Sequence, residues 1–297
     1  MRRAMKIAYY PGCTLKTKAK NLELAALACL DKLRVEYEEL PRWNCCGAVF
    51  SLADDDLIHM VAPVRDLIRV QERGQDTVLT LCSMCYNTLA RANDLMKNDE
   101  EKRKTINDFM DEEPDYEGNV RVVHLLDFIR DDYGFDKLKE HITAPLNGMK
   151  VAPYYGCTLL RPKEVALDRP DNPIVFHKFL EVIGAEVIDF GSATKCCGAY
   201  QVLGAPEATL QVSHEIISDA VNNGAEALAL TCPLCDYNMG KRQDQILEKF
   251  DDAKELPVYY FTQLLALAMG LESGVAHFEL NREIAQKLLK KKNLIKT

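Results

Sequence analysis

Hydrophobic and polar positions along this chain alternate between two periods. Short apolar runs rich in Val, Ile, Leu and Tyr, such as "KIAYY" (6–10) and "TVLTL" (77–81), are separated by longer stretches with apolar residues every three or four positions, as in "NLELAALACLDKL" (21–33). The first pattern suits a buried strand and the second an amphipathic helix. Strands are therefore expected at 5–10, 34–39, 77–81 and 120–123, and again at 149–155, 185–190, 226–231 and 257–261. Helices are expected at 21–33, 56–74, 82–94, 172–184, 205–224 and 232–250. Several end on glycine, which takes the left-handed conformation common at helix ends. The longest apolar stretch, 256–271, is interrupted by Thr262 and Gln263. It falls short of the ~20 residues a membrane-spanning helix needs and reads as a buried strand followed by a helix. The polar segment 97–119 reads as a solvated helix end and loop.

Strand and helix alternating at this spacing imply βαβ units and parallel sheets, so the fold class is α/β. The pattern runs twice. "YPGCTL" (10–15) sits over "YYGCTL" (154–159), "CCGA" (45–48) over "CCGA" (196–199), and "HLL" (124–126) over "QLL" (263–265). Two tandem duplicated domains are expected, at 1–147 and 148–297, each a small parallel sheet flanked by helices. The join lies near "APLNGMK" (144–150), where Pro145, Asn147 and Gly148 supply turn residues.

The cysteines repeat in the same order. Cys13, Cys45, Cys46, Cys82 and Cys85 form C-x31-CC-x35-C-x2-C, and Cys157, Cys196, Cys197, Cys232 and Cys235 form C-x38-CC-x34-C-x2-C. Cys29 is left over, on a helical face with Leu22, Ala26 and Leu33, as a core residue would be. Cys13, Cys157 and both CxxC motifs fall where expected strands end, the usual place for ligand sites in open α/β sheets. His124, His177 and His214 read as ordinary polar or core residues.

Composition narrows the use of these thiols. A formal charge of -8 and a pI near 5.4 argue against a nucleic-acid partner, which asks for a concentrated basic surface. No apolar segment follows Arg2 and Arg3, so a cytoplasmic chain is expected. Thiols stay reduced there, and eleven cysteines then point to metal ligation before disulfides. Structural zinc and a cubane cluster each take four ligands. Five therefore suggest either four ligands plus a redox thiol, or an iron–sulfur centre that is not a simple cube.

With "YYPGCTL", "NCCGA", "YYGCTLLRP", "KCCGA" and "CPLC", the duplicated pattern resembles the CCG-domain family, and over about residues 5–271 it is similar to the B subunits of heterodisulfide reductases. The resemblance implies two domains related by pseudo-two-fold symmetry and two noncubane [4Fe–4S] clusters. One would be held by Cys13, Cys45, Cys46, Cys82 and Cys85, the other by Cys157, Cys196, Cys197, Cys232 and Cys235. It further implies a disulfide substrate cleaved between the clusters in two one-electron steps, a ferredoxin-like C subunit, and a flavin-containing A subunit. This chain has no GxGxxG segment, so no flavin or nicotinamide is expected in it. Asp236 stands where methanogen members commonly carry histidine, and it is the side chain singled out as proton donor or substrate contact. The alternative implied by the same family is an electron-transfer or quinone-docking subunit of a succinate, fumarate, glycolate or lactate oxidoreductase.

Overall fold

The computed structural model describes residues 6–48 and 56–295. Arg2, Arg3 and the first residue of the first expected strand lie outside them. All eight expected strands form, in two four-stranded parallel sheets. The first is ordered β2-β1-β3-β4, from β1 (Ile7–Tyr9), β2 (Tyr37–Glu39), β3 (Thr77–Thr80) and β4 (Arg121–His124). The second repeats the order as β6-β5-β7-β8, from β5 (Lys150–Pro153), β6 (Glu186–Val187), β7 (Ala227–Leu230) and β8 (Val258–Tyr260). The inner strands β3 (TVLT) and β7 (ALAL) are buried along their length, as strands covered by helices on both faces must be. The edge strands β2 and β6 are short and carry glutamates, which keeps the open edges polar.

All strands run parallel, and the strand order switches sides between β1 and β3, and between β5 and β7. Loops leaving the carboxyl ends of those strand pairs, the usual place for a ligand site, carry Cys13, Cys82, Cys157 and Cys232.

The halves interlock reciprocally. The helix Lys20–Lys32 packs on Phe261–Ala268 of the other half, and its counterpart Val175–Val182 packs on Leu125–Phe128. Thr262 donates to the Leu22 carbonyl at 2.9 Å, closing one of these contacts inside the core. Phe261, fully buried, meets Phe176, Phe179 and His124 with ring centroids 6.2, 5.7 and 5.4 Å away.

Three expectations need correction. Strand register pairs Thr80 with His124 and Leu230 with Tyr260, so the counterpart of His124 is Tyr260 and not Gln263. The "HLL" over "QLL" overlay is displaced by three residues. The helix expected over 232–250 is broken into Pro233–Cys235, a wide turn Asp236–Lys241 and Gln243–Lys249. A Cβ at Gly240 would lie 2.4 Å from Asp236 Oδ1, so the widened turn closes over the carboxylate only because residue 240 is glycine. Finally, 97–119 is more than a helix end and loop: it holds a second helix, Glu100–Phe109, anchored by buried Ile106, with Met110 and Tyr116 buried after it.

Truncating Phe261 to Ala removes the aromatic bridge between the halves and is expected to destabilise the protein by about 3–5 kcal/mol. Urea denaturation measures this, and an unchanged midpoint would show that the halves do not depend on this packing.

Candidate metal centre

In the first half Cys13 follows β1, Cys45 and Cys46 follow β2, and Cys82 and Cys85 follow β3 at the start of the helix Ser83–Asn98. Folding brings all five together. Cys13 Sγ lies 3.7 Å from Cys45 Sγ, and Cys46 Sγ lies 3.8 Å from Cys85 Sγ. The five line one cavity of about 290 Å³. In the second half Cys197 Sγ is 3.5 Å from Cys235 Sγ, and Cys157 lies near enough to Cys196, and Cys232 to Cys235, for each to shift the other's ionisation. The remaining cysteine, Cys29, is buried in the core, as its helical face suggested.

The two sets also meet each other. Cys82 and Cys232 line the same cavity from opposite sides of the boundary between the halves, each close enough to shift the other's ionisation, and Ser83 N–H donates to the Thr231 carbonyl at 3.4 Å. The symmetric bond would need an N–H at Pro233, which has none. Leu81, the partner carbonyl, instead accepts from His124 Nε2 at 3.0 Å, while His124 Nδ1 accepts from Leu126 N–H. Burial holds this imidazole neutral, its pKa lowered to about 4. Cys232, Pro233, Leu234 and Tyr237 complete the wall of the first-half cavity, together with Met84, Ala48 and Lys18.

Sulfur packed on sulfur shifts the thiols unequally. The neighbouring thiols Cys45 and Cys85 hold Cys46 well below the usual thiol range, and Cys235 and Cys82 do the same for Cys232. The Cys157 thiol lowers Cys196 to about 6, aided by the Gly198 amide. The thiolate is the metal-binding form, so part of each set is already biased toward ligation.

Two tyrosines that sequence reasoning passed over hold the vicinal pairs in place. Tyr10 OH donates to the Asn44 carbonyl at 2.8 Å, and Tyr154 OH to the Lys195 carbonyl at 2.7 Å. Each carbonyl belongs to the residue before a CC pair. The signal was present, since each tyrosine stands three residues ahead of the first cysteine of its set. Asp66 adds a second anchor in the first half, accepting from Asn44 N–H at 2.8 Å. Trp43 packs edge-on against Tyr10 with centroids 6.0 Å apart.

Asp236 is buried beside Cys232, but among the described residues it is not part of the cavity wall. It accepts from Tyr260 OH at 3.2 Å and faces Lys241 Nζ at 3.9 Å. Burial raises its carboxyl to about 6.

Five thiols surround one cavity in the first half, one more than a closed tetrahedral site takes. Such a distribution suits a polynuclear iron–sulfur centre, which takes its thiolates on separate irons, better than a closed tetrahedral zinc site. The backbone also makes room: at Gly12, with φ +74°, a Cβ would lie 2.8 Å from Cys85 Sγ.

Comparison with known proteins agrees with this geometry. The family profile described as the cysteine-rich domain, CCG, matches residues 7–90 and 151–240. The chain is 32% identical over 282 residues to the B subunit of the Ferredoxin/F(420)H(2)-dependent CoB-CoM heterodisulfide reductase from Methanosarcina acetivorans, covering 93% of each chain. It is 30% identical over 277 residues to the 8-methylmenaquinol:fumarate reductase membrane anchor subunit of Wolinella succinogenes, covering 92% of this chain and 96% of that one. Among solved structures, a hypothetical protein from Helicobacter pylori superposes with a TM-score of 0.74 at 12% identity, over 95% of this chain and 54% of that one. That likeness concerns the fold, and this chain spans about half of the solved one. The chain belongs to the CCG cysteine-rich domain family and carries the domain twice.

Proposed function

We propose that this chain is the disulfide-cleaving iron–sulfur subunit of a heterodisulfide-reductase-type complex. The observation that carries the reading is the meeting of the two five-thiol sets, with Cys82 against Cys232, beside a single cavity. On this reading Cys13, Cys45, Cys46, Cys82 and Cys85 hold one noncubane [4Fe–4S] cluster, and Cys157, Cys196, Cys197, Cys232 and Cys235 hold the other. When bound, such centres supply electrons one at a time to a sulfur–sulfur bond. The balance is one disulfide, two electrons and two protons giving two thiols. A ferredoxin-like C subunit, fed by a flavin-containing A subunit, is the proposed electron source.

The chain's own side chains have three tasks. Met84, Pro233, Leu234 and Tyr237 give the cavity an apolar wall that strips water from an entering disulfide. Lys18, exposed on the cavity's rim and in no ion pair among the described residues, meets an acidic end of the substrate. Asp236, hydrogen-bonded to Tyr260 and near Cys232, is the group we assign to pass a proton.

A second reading has one observation in its favour, the membrane anchor subunit among the relatives. In it the chain passes electrons to a quinone. No helix among the described residues is long and apolar enough to cross a membrane. The readings separate by electron paramagnetic resonance of the natively loaded protein. Small thiols and disulfides are expected to perturb the cluster signals, whereas unchanged signals with a bound quinone analogue would establish the second reading.

A Gly12→Ala variant is expected to lose the N-terminal centre, because the added Cβ falls 2.8 Å from Cys85 Sγ. Gly74→Ala is the control, having a similar positive φ and nothing within 4 Å of the added Cβ. Iron content per chain should fall in the first and hold in the second, and equal iron in both would remove Cys85 from the ligand set.

A further inference from the structure

Asn238 stands in the wide turn after the second CxxC motif and is fully buried. Its Nδ2 lies 3.1 Å from the Cys197 carbonyl, 3.0 Å from the Ala199 carbonyl and 3.6 Å from Cys197 Sγ. Carbonyl oxygens only accept, so these two contacts fix which end of the amide faces the loop. Two hydrogens serve three acceptors, and the sulfur shares one of them. The other end of the amide, Oδ1, is buried and meets no donor among the described residues. The two carbonyl contacts hold the loop that follows the cysteine pair, and the contact to the Cys197 sulfur goes beyond that task.

The first half keeps the contact to the loop and has no side-chain counterpart to the sulfur contact among the described residues. Six residues beyond Cys82, where Asn238 lies six beyond Cys232, stands Thr88. Its hydroxyl donates to the Ala48 and Met84 carbonyls and to no sulfur. Cys46, the counterpart of Cys197, takes only a main-chain N–H, from Ala48, among its resolved non-thiol donors.

We infer that Asn238 tunes the reduction potential of the C-terminal centre through its N–H···S hydrogen bond to Cys197, a side-chain donor without a side-chain counterpart in the N-terminal half. The inference rests on the two-cluster reading proposed above. Hydrogen bonds to ligating sulfurs stabilise the added negative charge of a reduced cluster and raise its potential. Two ligand sets that look alike in sequence thereby become unequal, and the first electron is biased toward the C-terminal centre.

The test is a redox titration, followed by electron paramagnetic resonance, of the natively loaded protein and its Asn238→Thr variant, which copies the first half. The variant is expected to retain its iron and to shift one midpoint potential to a more negative value, leaving the other unchanged. Neither potential moving, or both moving together, would overturn the inference. Electron–nuclear double resonance on wild-type protein with ¹⁵N in its asparagine side chains gives an independent readout should the variant lose iron. A coupling from one amide nitrogen supports the bond, and its absence overturns it. Finding only one iron–sulfur centre in the wild type would instead refute the two-cluster reading itself.

Discussion

The contact between Cys82 and Cys232 ties the two halves together at their chemistry. Each cysteine ends the turn after an inner strand, β3 or β7, and both strands must lie central and buried for the turns to meet. Sheet order, the interlocked helices and Phe261 all serve that meeting. The halves cannot slide past each other without separating the Ser83 N–H from the Thr231 carbonyl and exposing the Phe261 cluster. Loops of both duplicated sheets thereby line one cavity.

Symmetry is broken where a single atom is missing. Pro233 has no N–H for the Leu81 carbonyl, and His124 fills the vacancy with its own N–H. At the position matching His124, the second half has Tyr260, which turns its hydroxyl to Asp236. At the position matching Asp236 the first half has Tyr86, whose ring meets His124 with centroids 6.0 Å apart. The two crevices therefore have the same sulfurs and different polar surroundings, as two centres with separate duties would require.

Much of this was legible before any coordinates. The eight strands follow from apolar runs that must be buried, and the ten cysteines follow from a duplication that repeats their order. Periodicity does not say which helical faces meet across a domain boundary, so the packing of Lys20–Lys32 on Phe261–Ala268 was beyond it. Matching letters also misled: the leucine pairs of 125–126 and 264–265 look alike, but hydrogen-bond register puts His124 opposite Tyr260 in the repeat. The broken helix after Cys235 was hidden because helical spacing continues through Asp236–Lys241, while the carboxylate folded back against Gly240 widens the turn. Tyr10 and Tyr154 were visible as repeated letters, and only the carbonyls they hold showed why they repeat.

The central claim is that each five-thiol set holds an iron–sulfur centre. Metal and acid-labile sulfide analysis of the anaerobically purified chain tests it most directly, alongside a variant with Cys45 and Cys46 both changed to serine. The account predicts about eight irons per chain with matching sulfide, and about half of each in the variant. One or two zinc ions per chain, with neither iron nor sulfide, would contradict it.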